Sequence, residues 1–313
     1  MTDNRYPLIV GAGLAGLLAA HAWPTARIIE MSPFANPRHQ ALLRFRSDAV
    51  SKLTGIEFKK VLVRKGIFFR DEFVEPNARV CNLYAQKVIG QIAERSIWNL
   101  TPAERYIAPE DFYEQLIESV GQRIQWGVKF KPELQGDDPV ISTIPMFLML
   151  QHYGHPLKKC LPDDAFVRKS ITVKRWRIPN SDVYQTIYFP DHDTPTYRAS
   201  IIGDMLIAER VAEWGAEEEY RPLKVIGRAF GLKQTAQLIP LVDHEQAYGK
   251  LAELEEVTRK TLLFELTARH NIYSLGRFAT WRNIMLDDVV NDIAMIKRLM
   301  KAQTAYDMKK EAL

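Results

Sequence analysis

Cysteine is scarce in this chain: Cys81 and Cys160 are the only two among 313 residues. They form neither a CxxC pair nor an evenly spaced framework, which excludes a disulfide scaffold and a cysteine-based zinc site and leaves both as buried thiols. Long apolar runs are also missing. No segment approaches the roughly 20 residues needed to cross a bilayer, and the opening MTDNRYPLIV is too polar for a secretory signal, so the expected location is the cytoplasm. The seven histidines show no HExxH or HxxxH spacing, so no metal site is expected. A GxSxG elbow and a P-loop are absent, which argues against hydrolase and NTPase chemistry. Internal repeats, low-complexity tracts and long blocks of like charge are absent too.

What is present is the composition of a folded globular protein, 47% hydrophobic and 26% charged, in a length that suits two domains or one domain with a large insertion. The formal charge of +4 favours an anionic partner without requiring nucleic acid.

The most informative stretch lies at the start. The apolar run Pro7 to Val10 leads directly into Gly11-Ala12-Gly13-Leu14-Ala15-Gly16, and Leu17 to Trp23 follows with helical character. This predicts strand, tight turn and helix. Gly11 permits the turn, Gly13 lets a pyrophosphate approach the backbone, and Gly16 lets the helix pack against the strand. The helix start then offers free N–H groups and a positive dipole end to the phosphates. Arg27-Ile28-Ile29-Glu30 supplies a second strand, and Glu30 stands nineteen positions after Gly11, where a carboxylate can accept hydrogen bonds from ribose hydroxyls. The pattern does not separate NAD from FAD, which share an ADP half.

Near the other end, His270 to Ile293 reads as a strand (Ile272 to Leu275), a close-approach glycine (Gly276) followed by Arg277, a polar loop, and a helix from Leu286. With the opening motif, this resembles the flavoprotein group that includes UDP-galactopyranose mutases and amine oxidases. Pro139 to Pro145, strand-like, and Tyr248-Gly249-Lys250 add to the resemblance. It implies FAD as cofactor and an α/β fold in which a Rossmann-type FAD-binding domain is built from N- and C-terminal segments, with an inserted α+β substrate domain. The implied FAD-binding parts are residues 1–50, 136–150 and 246–313, leaving 51–135 and 151–245 to the substrate. The implied cofactor contacts are Gly11 to Gly16, Glu30, Met31, Gly276, Arg277, Trp281 and the helix start Leu286-Asp287-Asp288. Where the group carries a glycine pair and a basic residue, this chain has His39 to Asp48 without glycines. Arg44 or Arg46 could still neutralise a pyrophosphate or a reduced flavin, or belong to a solvated strand edge.

Further candidates are His39 as a proton shuttle, set against a structural histidine, and Tyr188, Tyr197 and Arg198, which match a Tyr and Arg pattern lining the substrate face in the mutase-like group. An arginine there could hold a phosphate or carboxylate in two bonds; the alternative is a surface ion pair. Trp176 among Lys174, Arg175 and Arg177 could stack on a base or be one buried aromatic of an exposed strand. The leading expectation is an FAD-dependent enzyme that oxidises or cleaves a C–N bond of an amino-acid-like group on an anionic substrate. The chain also resembles small phage-encoded flavoproteins that act on amino-acid-modified thymidine in DNA. In that case the setting is the host cytoplasm, and Lys59 to Lys65 and Lys174 to Arg177 would contact phosphates. The alternatives are a sugar-nucleotide mutase working with reduced flavin and a protein holding FAD as a structural ligand.

Overall fold

The structure, a computed structural model, describes residues 6–35, 44–92, 96–154, 161, 165–166, 168–210, 220–233, 238–241, 244–251 and 254–311. His39 and Cys160 lie outside the described residues. The chain begins β1 (Leu8–Val10), α1 (Leu14–Ala22), β2 (Arg27–Glu30), β3 (Arg44–Phe45), α2 (Ala49–Thr54), β4 (Lys59–Phe69), β5 (Glu72–Val74) and α3 (Ala78–Ile89). It continues through β6 (Ala103–Ile107), α4 (Phe112–Val120), β7 (Ile124–Trp126), β8 (Val140–Ser142), α5 (Met146–His152), β9 (Arg168–Arg177), β10 (Val183–Tyr188), β11 (Thr196–Gly203) and β12 (Met205–Arg210). The last elements are α6 (Tyr220–Phe230), β13 (Ile239–Pro240), β14 (His244–Leu251), α7 (Glu256–His270), β15 (Ile272–Ser274) and α8 (Leu286–Glu311).

Two sheets organise these elements. The first has the order β15-β8-β1-β2-β7, with every pair parallel. Parallel sheets need both faces covered, and the three residues of β1 show why: all are buried, but Ile9 packs into one core while Leu8 and Val10 pack into another. Ile9, Ile28, Ile141 and Tyr273 meet α1, α4 and α8, whereas Val140 and Ile272 meet α5 and α7. The strand order reverses between β1 and β8, which is the Rossmann switch point, where the crevice outside the strands' carboxyl ends takes a ligand.

The second, ten-stranded sheet has the order β13-β9-β12-β11-β10-β4-β6-β3, with β14 beside β9 and β5 beside β4. Only β4 and β10 run parallel within it. Strand alternation gives this sheet two different faces. Trp176, Ile187, Ala199, Ile201, Leu206 and Ala208 form an apolar face that packs on Ile226 and Ala229 of α6. The residues between them, Thr186, Tyr188, Arg198, Ser200 and Glu209, line the opposite face and stand in register with one another. β4 serves three partners, pairing with β6 through Lys59–Val63, with β10 from Arg64 onward and with β5 through Ile67–Phe69.

Sheet membership cuts across the division expected from sequence: β3, within residues 1–50, pairs with β6 of the large sheet. Residues 51–135 include α4 and β7, which complete the parallel sheet beside α1 and β2, because Phe112, Leu116 and Val120 of α4 cover its first core. β14, placed by sequence with the cofactor segments, instead joins β9 of the large sheet. Among the described residues, no helix is long and apolar enough to cross a membrane, and no cluster of His, Cys, Asp or Glu could hold a metal ion.

Candidate functional site

At the end of β1 the chain turns at Gly11 with φ +101°, a left-handed value that favours glycine. A side chain here would also strike Thr143, whose Oγ1 lies 2.5 Å from the position of a Cβ. Gly16 permits the second close approach: a Cβ there would lie 1.9 Å from the Gly11 carbonyl oxygen. Gly13 differs from both. It is exposed, and a Cβ on it would meet nothing within 4 Å, so the space in front of it is free for a ligand at the start of α1. The residues present therefore fit a dinucleotide's pyrophosphate, with the helix N-terminus behind it.

Three side chains brace this turn. Glu30 accepts the Ala12 N–H through Oε2 at 2.8 Å and the Ser32 N–H through Oε1 at 2.9 Å. A carboxylate has about four acceptor positions, so two remain for ribose hydroxyls. Exposed Met31 follows directly. Thr143, just past β8, donates its hydroxyl to the Val10 carbonyl at 2.8 Å, and Tyr113 of α4 donates to the Ala12 carbonyl at 3.3 Å. Thr143 and Tyr113 did not stand out in the sequence, because neither belongs to a recognisable spacing.

The C-terminal segment returns to the same turn. Gly276 has φ +88°, and a Cβ on it would come within 2.7 Å of the Ala15 Cβ, so the chain after β15 lies against the first turn of α1. The half-buried Arg277 donates to Asn283 Oδ1 at 3.0 Å; burial lowers its pKa, and the phenol of Tyr197 on the large sheet partly offsets this. Trp281 points elsewhere. It is 3% exposed and packs edge-on against Phe147 and Phe166 in the second core, with φ +48°.

The start of α8 is tied to the strand that carries Arg44. The buried Asp287 accepts the backbone N–H groups of Arg46 and Ser47 and the Ser47 hydroxyl, at 2.9, 3.2 and 2.9 Å. Asp288 reaches back to the Met285 N–H at 2.9 Å, which caps the helix, and receives Arg46 Nη2 at 2.6 Å. Leu286 is half-buried beside the first core. Arg46 is thus held in an exposed ion pair, whereas Arg44 on the neighbouring strand points to Thr186 Oγ1 at 2.7 Å, on the polar face of the large sheet.

That polar face carries a cluster of charged and phenolic side chains. The β11–β12 register slips between Thr196 and Arg198, a bulge that brings adjacent side chains to one partner. Both Tyr197 and Arg198 consequently reach Glu209. The Tyr197 hydroxyl donates to Oε2, and Arg198 Nη2 lies 2.6 Å from each carboxylate oxygen. Burial and the Glu209 charge push the Tyr197 phenol well above its usual pKa; for Arg198, Glu209 and Tyr197 more than offset burial, so the guanidinium stays charged. Tyr188 is buried alongside, stacked edge-on with Tyr84. Of the candidates for phosphate contact, Lys59 pairs with Asp182, Lys60 with Glu104, and Arg177 with Glu110 and Asp204, while Lys174 is buried and Trp176 packs under α6.

Comparison with known proteins yields fold relatives only. No family model matches the chain, and no curated protein matches it in sequence. Among solved structures, a reduced UDP-galactopyranose mutase superposes with TM-score 0.68 at 14% identity, over 95% of this chain and 96% of that one. A conjugated-linoleic-acid-producing fatty acid isomerase from P. acnes gives 0.60 at 12% identity, over 95% and 99%. A putrescine oxidase variant redesigned in its cofactor binding gives 0.54 at 14% identity, over 96% and 99%. At these identities the likeness is one of fold. The class defined by the fold is a Rossmann-type α/β protein with a second, large mixed sheet.

Proposed function

We propose that this chain binds FAD in the crevice at the carboxyl ends of the parallel strands and acts as an FAD-dependent enzyme on a C–N bond of an amino-acid-like group. The observation that carries the reading is the glycine turn after β1: Gly13 leaves open space at the start of α1, and Gly276, after β15, lies against Ala15 in that helix's first turn. In this arrangement Glu30 takes the ribose, and the α1 N-terminus takes the pyrophosphate. When bound, FAD supplies an acceptor for a hydride from the carbon bearing the amine, and water splits the resulting imine. The protein then has to place that carbon and exclude side reactions. Tyr197, Arg198 and Glu209 form a rigid wall for this purpose, since each is held by the others.

A second reading is favoured by the best superposition among the three reported, which spans nearly the whole of both chains: rearrangement of a sugar nucleotide, the reaction named for that structure. Arg198 and Arg277 would then face the diphosphate. Action on DNA gains no support from Lys59, Lys60 or Arg177, because acidic side chains already engage them. The two enzymatic readings separate in anaerobic spectra. Flavin absorption that bleaches when an amino-acid-modified substrate is added supports C–N oxidation. Turnover of a UDP-sugar that appears only after prior reduction of the flavin supports the mutase.

A further inference from the structure

The polar face of the large sheet carries more positive than negative charge, and the imbalance is concentrated on one residue. Arg198 is matched by Glu209 in two bonds. Arg44 is not matched in this way: its one hydrogen bond goes to the neutral hydroxyl of Thr186, which itself shares a 2.8 Å hydrogen bond with Ser200. Among the described residues no carboxylate lies in ion-pair contact with Arg44. The charged groups that act on it are Arg198 and Arg105 on the positive side and Glu209, already bound by Arg198, on the negative side, with Tyr188 as the remaining ionisable neighbour. Burial and the Arg198 charge bring the Arg44 pKa down to about 10, still far above neutrality, so the guanidinium remains cationic. Half-buried and held by one hydrogen bond, the guanidinium keeps most of its five donors for any anion that reaches it.

The position of Arg44 connects this charge to the crevice. β3 is fixed at its next residues by Asp287, at the start of α8, while the Arg44 side chain reaches Thr186 of β10. The geometry points to Arg44 as the anchor for an oxyanion of the substrate, a carboxylate or a phosphate, held between the start of α8 and the Thr186–Ser200 hydroxyl pair. Two parallel N–H bonds from the guanidinium suit either group. This inference rests on the proposed crevice chemistry for the word substrate, but the anion site itself stands without a flavin.

Calorimetric titration of the purified protein with propionate, inorganic phosphate and neutral propionamide tests it, with flavin content measured separately by absorbance. Saturable binding of one or both anions, no binding of propionamide, and at least a tenfold weakening in Arg44→Met are expected. Arg44→Lys should recover part of the affinity, and Thr186→Val should lose less than Arg44→Met. The variants' melting temperatures and circular dichroism show that the fold persists; if Arg44→Met does not fold, Arg44→Lys and Thr186→Val carry the comparison. Preference for propionate identifies an amino-acid-type carboxylate, and preference for phosphate identifies a phosphorylated substrate. Equal anion binding by wild type and the variants, or no anion binding by wild type, overturns the inference. A wild type that binds anions through Arg44 yet never retains FAD overturns the cofactor reading instead.

Discussion

Gly13 and Gly16 stand three residues apart in one motif, yet the structure assigns them opposite consequences. Replacing Gly16 by alanine places a Cβ 1.9 Å from the Gly11 carbonyl oxygen, so two backbone segments must separate by more than 1 Å before even a tight contact is reached. Helix propensity alone predicts stabilisation of about 1 kcal/mol for Gly→Ala inside α1. Overpacking of a closed site costs roughly 1–3 kcal/mol and occasionally more, and the shift also loosens Thr143 from the Val10 carbonyl. The net expectation is a loss of stability, with a melting temperature lower by several degrees. The Cβ of Gly13→Val meets no atom within 4 Å, and the extended backbone (φ −74°, ψ 175°) is one that valine accepts, so its folding stability should change by about 1 kcal/mol or less. Its side chain instead fills the space of the pyrophosphate. Loss of two charge-assisted hydrogen bonds, at about 1.5–3 kcal/mol each, corresponds to a roughly 100- to 10,000-fold weaker Kd for FAD. Thermal melts of cofactor-free protein and FAD titrations monitored by flavin fluorescence read the two effects separately. Gly16→Ala protein that melts at or above wild type, or Gly13→Val protein that binds FAD normally, refutes the reasoning.

Three further outcomes follow from the described contacts. Glu209→Ala leaves the half-buried Arg198 without its carboxylate and should destabilise the fold by about 1–3 kcal/mol, measured by urea denaturation; Arg198→Met in the same background should restore part of it. Lys87 donates to the carbonyl oxygens of Phe189, Asp191 and Thr196, at 2.8, 2.6 and 2.6 Å, and burial lowers its pKa to about 7. Its unfolded value is near 10.5, so between about pH 7 and 10.5 the unfolded chain holds more protons and stability should rise with pH. Urea midpoints at pH 7 and 9 should therefore differ more in wild type than in Lys87→Met, and an identical pH response contradicts the assignment. Asp287→Ala removes the acceptor for two backbone N–H groups and one hydroxyl; hydrogen exchange at Arg46 and Ser47 should accelerate, with little change in α7.

The glycine turn was legible in the sequence because its constraints are local. A glycine at positive φ, a glycine under a crossing carbonyl and an acid at the end of the next strand each leave a mark at a fixed spacing, and Gly11, Gly16 and Glu30 occupy those places. The sheet face was less legible, because its cluster is assembled across strands. Tyr197 and Arg198 were visible as a pair, but Glu209 was missed. A signal existed: Gly203-Asp204 forms the two-residue turn that sets Ile202 opposite Met205, and counting outward puts Arg198 opposite Glu209. The bulge that adds Tyr197 to the same carboxylate has no comparable mark. Trp281 illustrates the reverse error of proximity. It follows Gly276-Arg277 closely in sequence, yet its left-handed backbone turns the indole into the core beside Phe147 and Phe166. The domain limits were drawn too simply for a related reason, since β7 is an edge strand of only three residues and its apolar content is too short to show periodicity.

The central claim is most directly tested by the absorption spectrum and FAD stoichiometry of the purified protein after incubation with FAD and removal of the excess. The account predicts flavin bands near one FAD per chain in wild type and their loss in Gly13→Val protein of unchanged melting temperature. A folded wild-type protein that retains no flavin contradicts it.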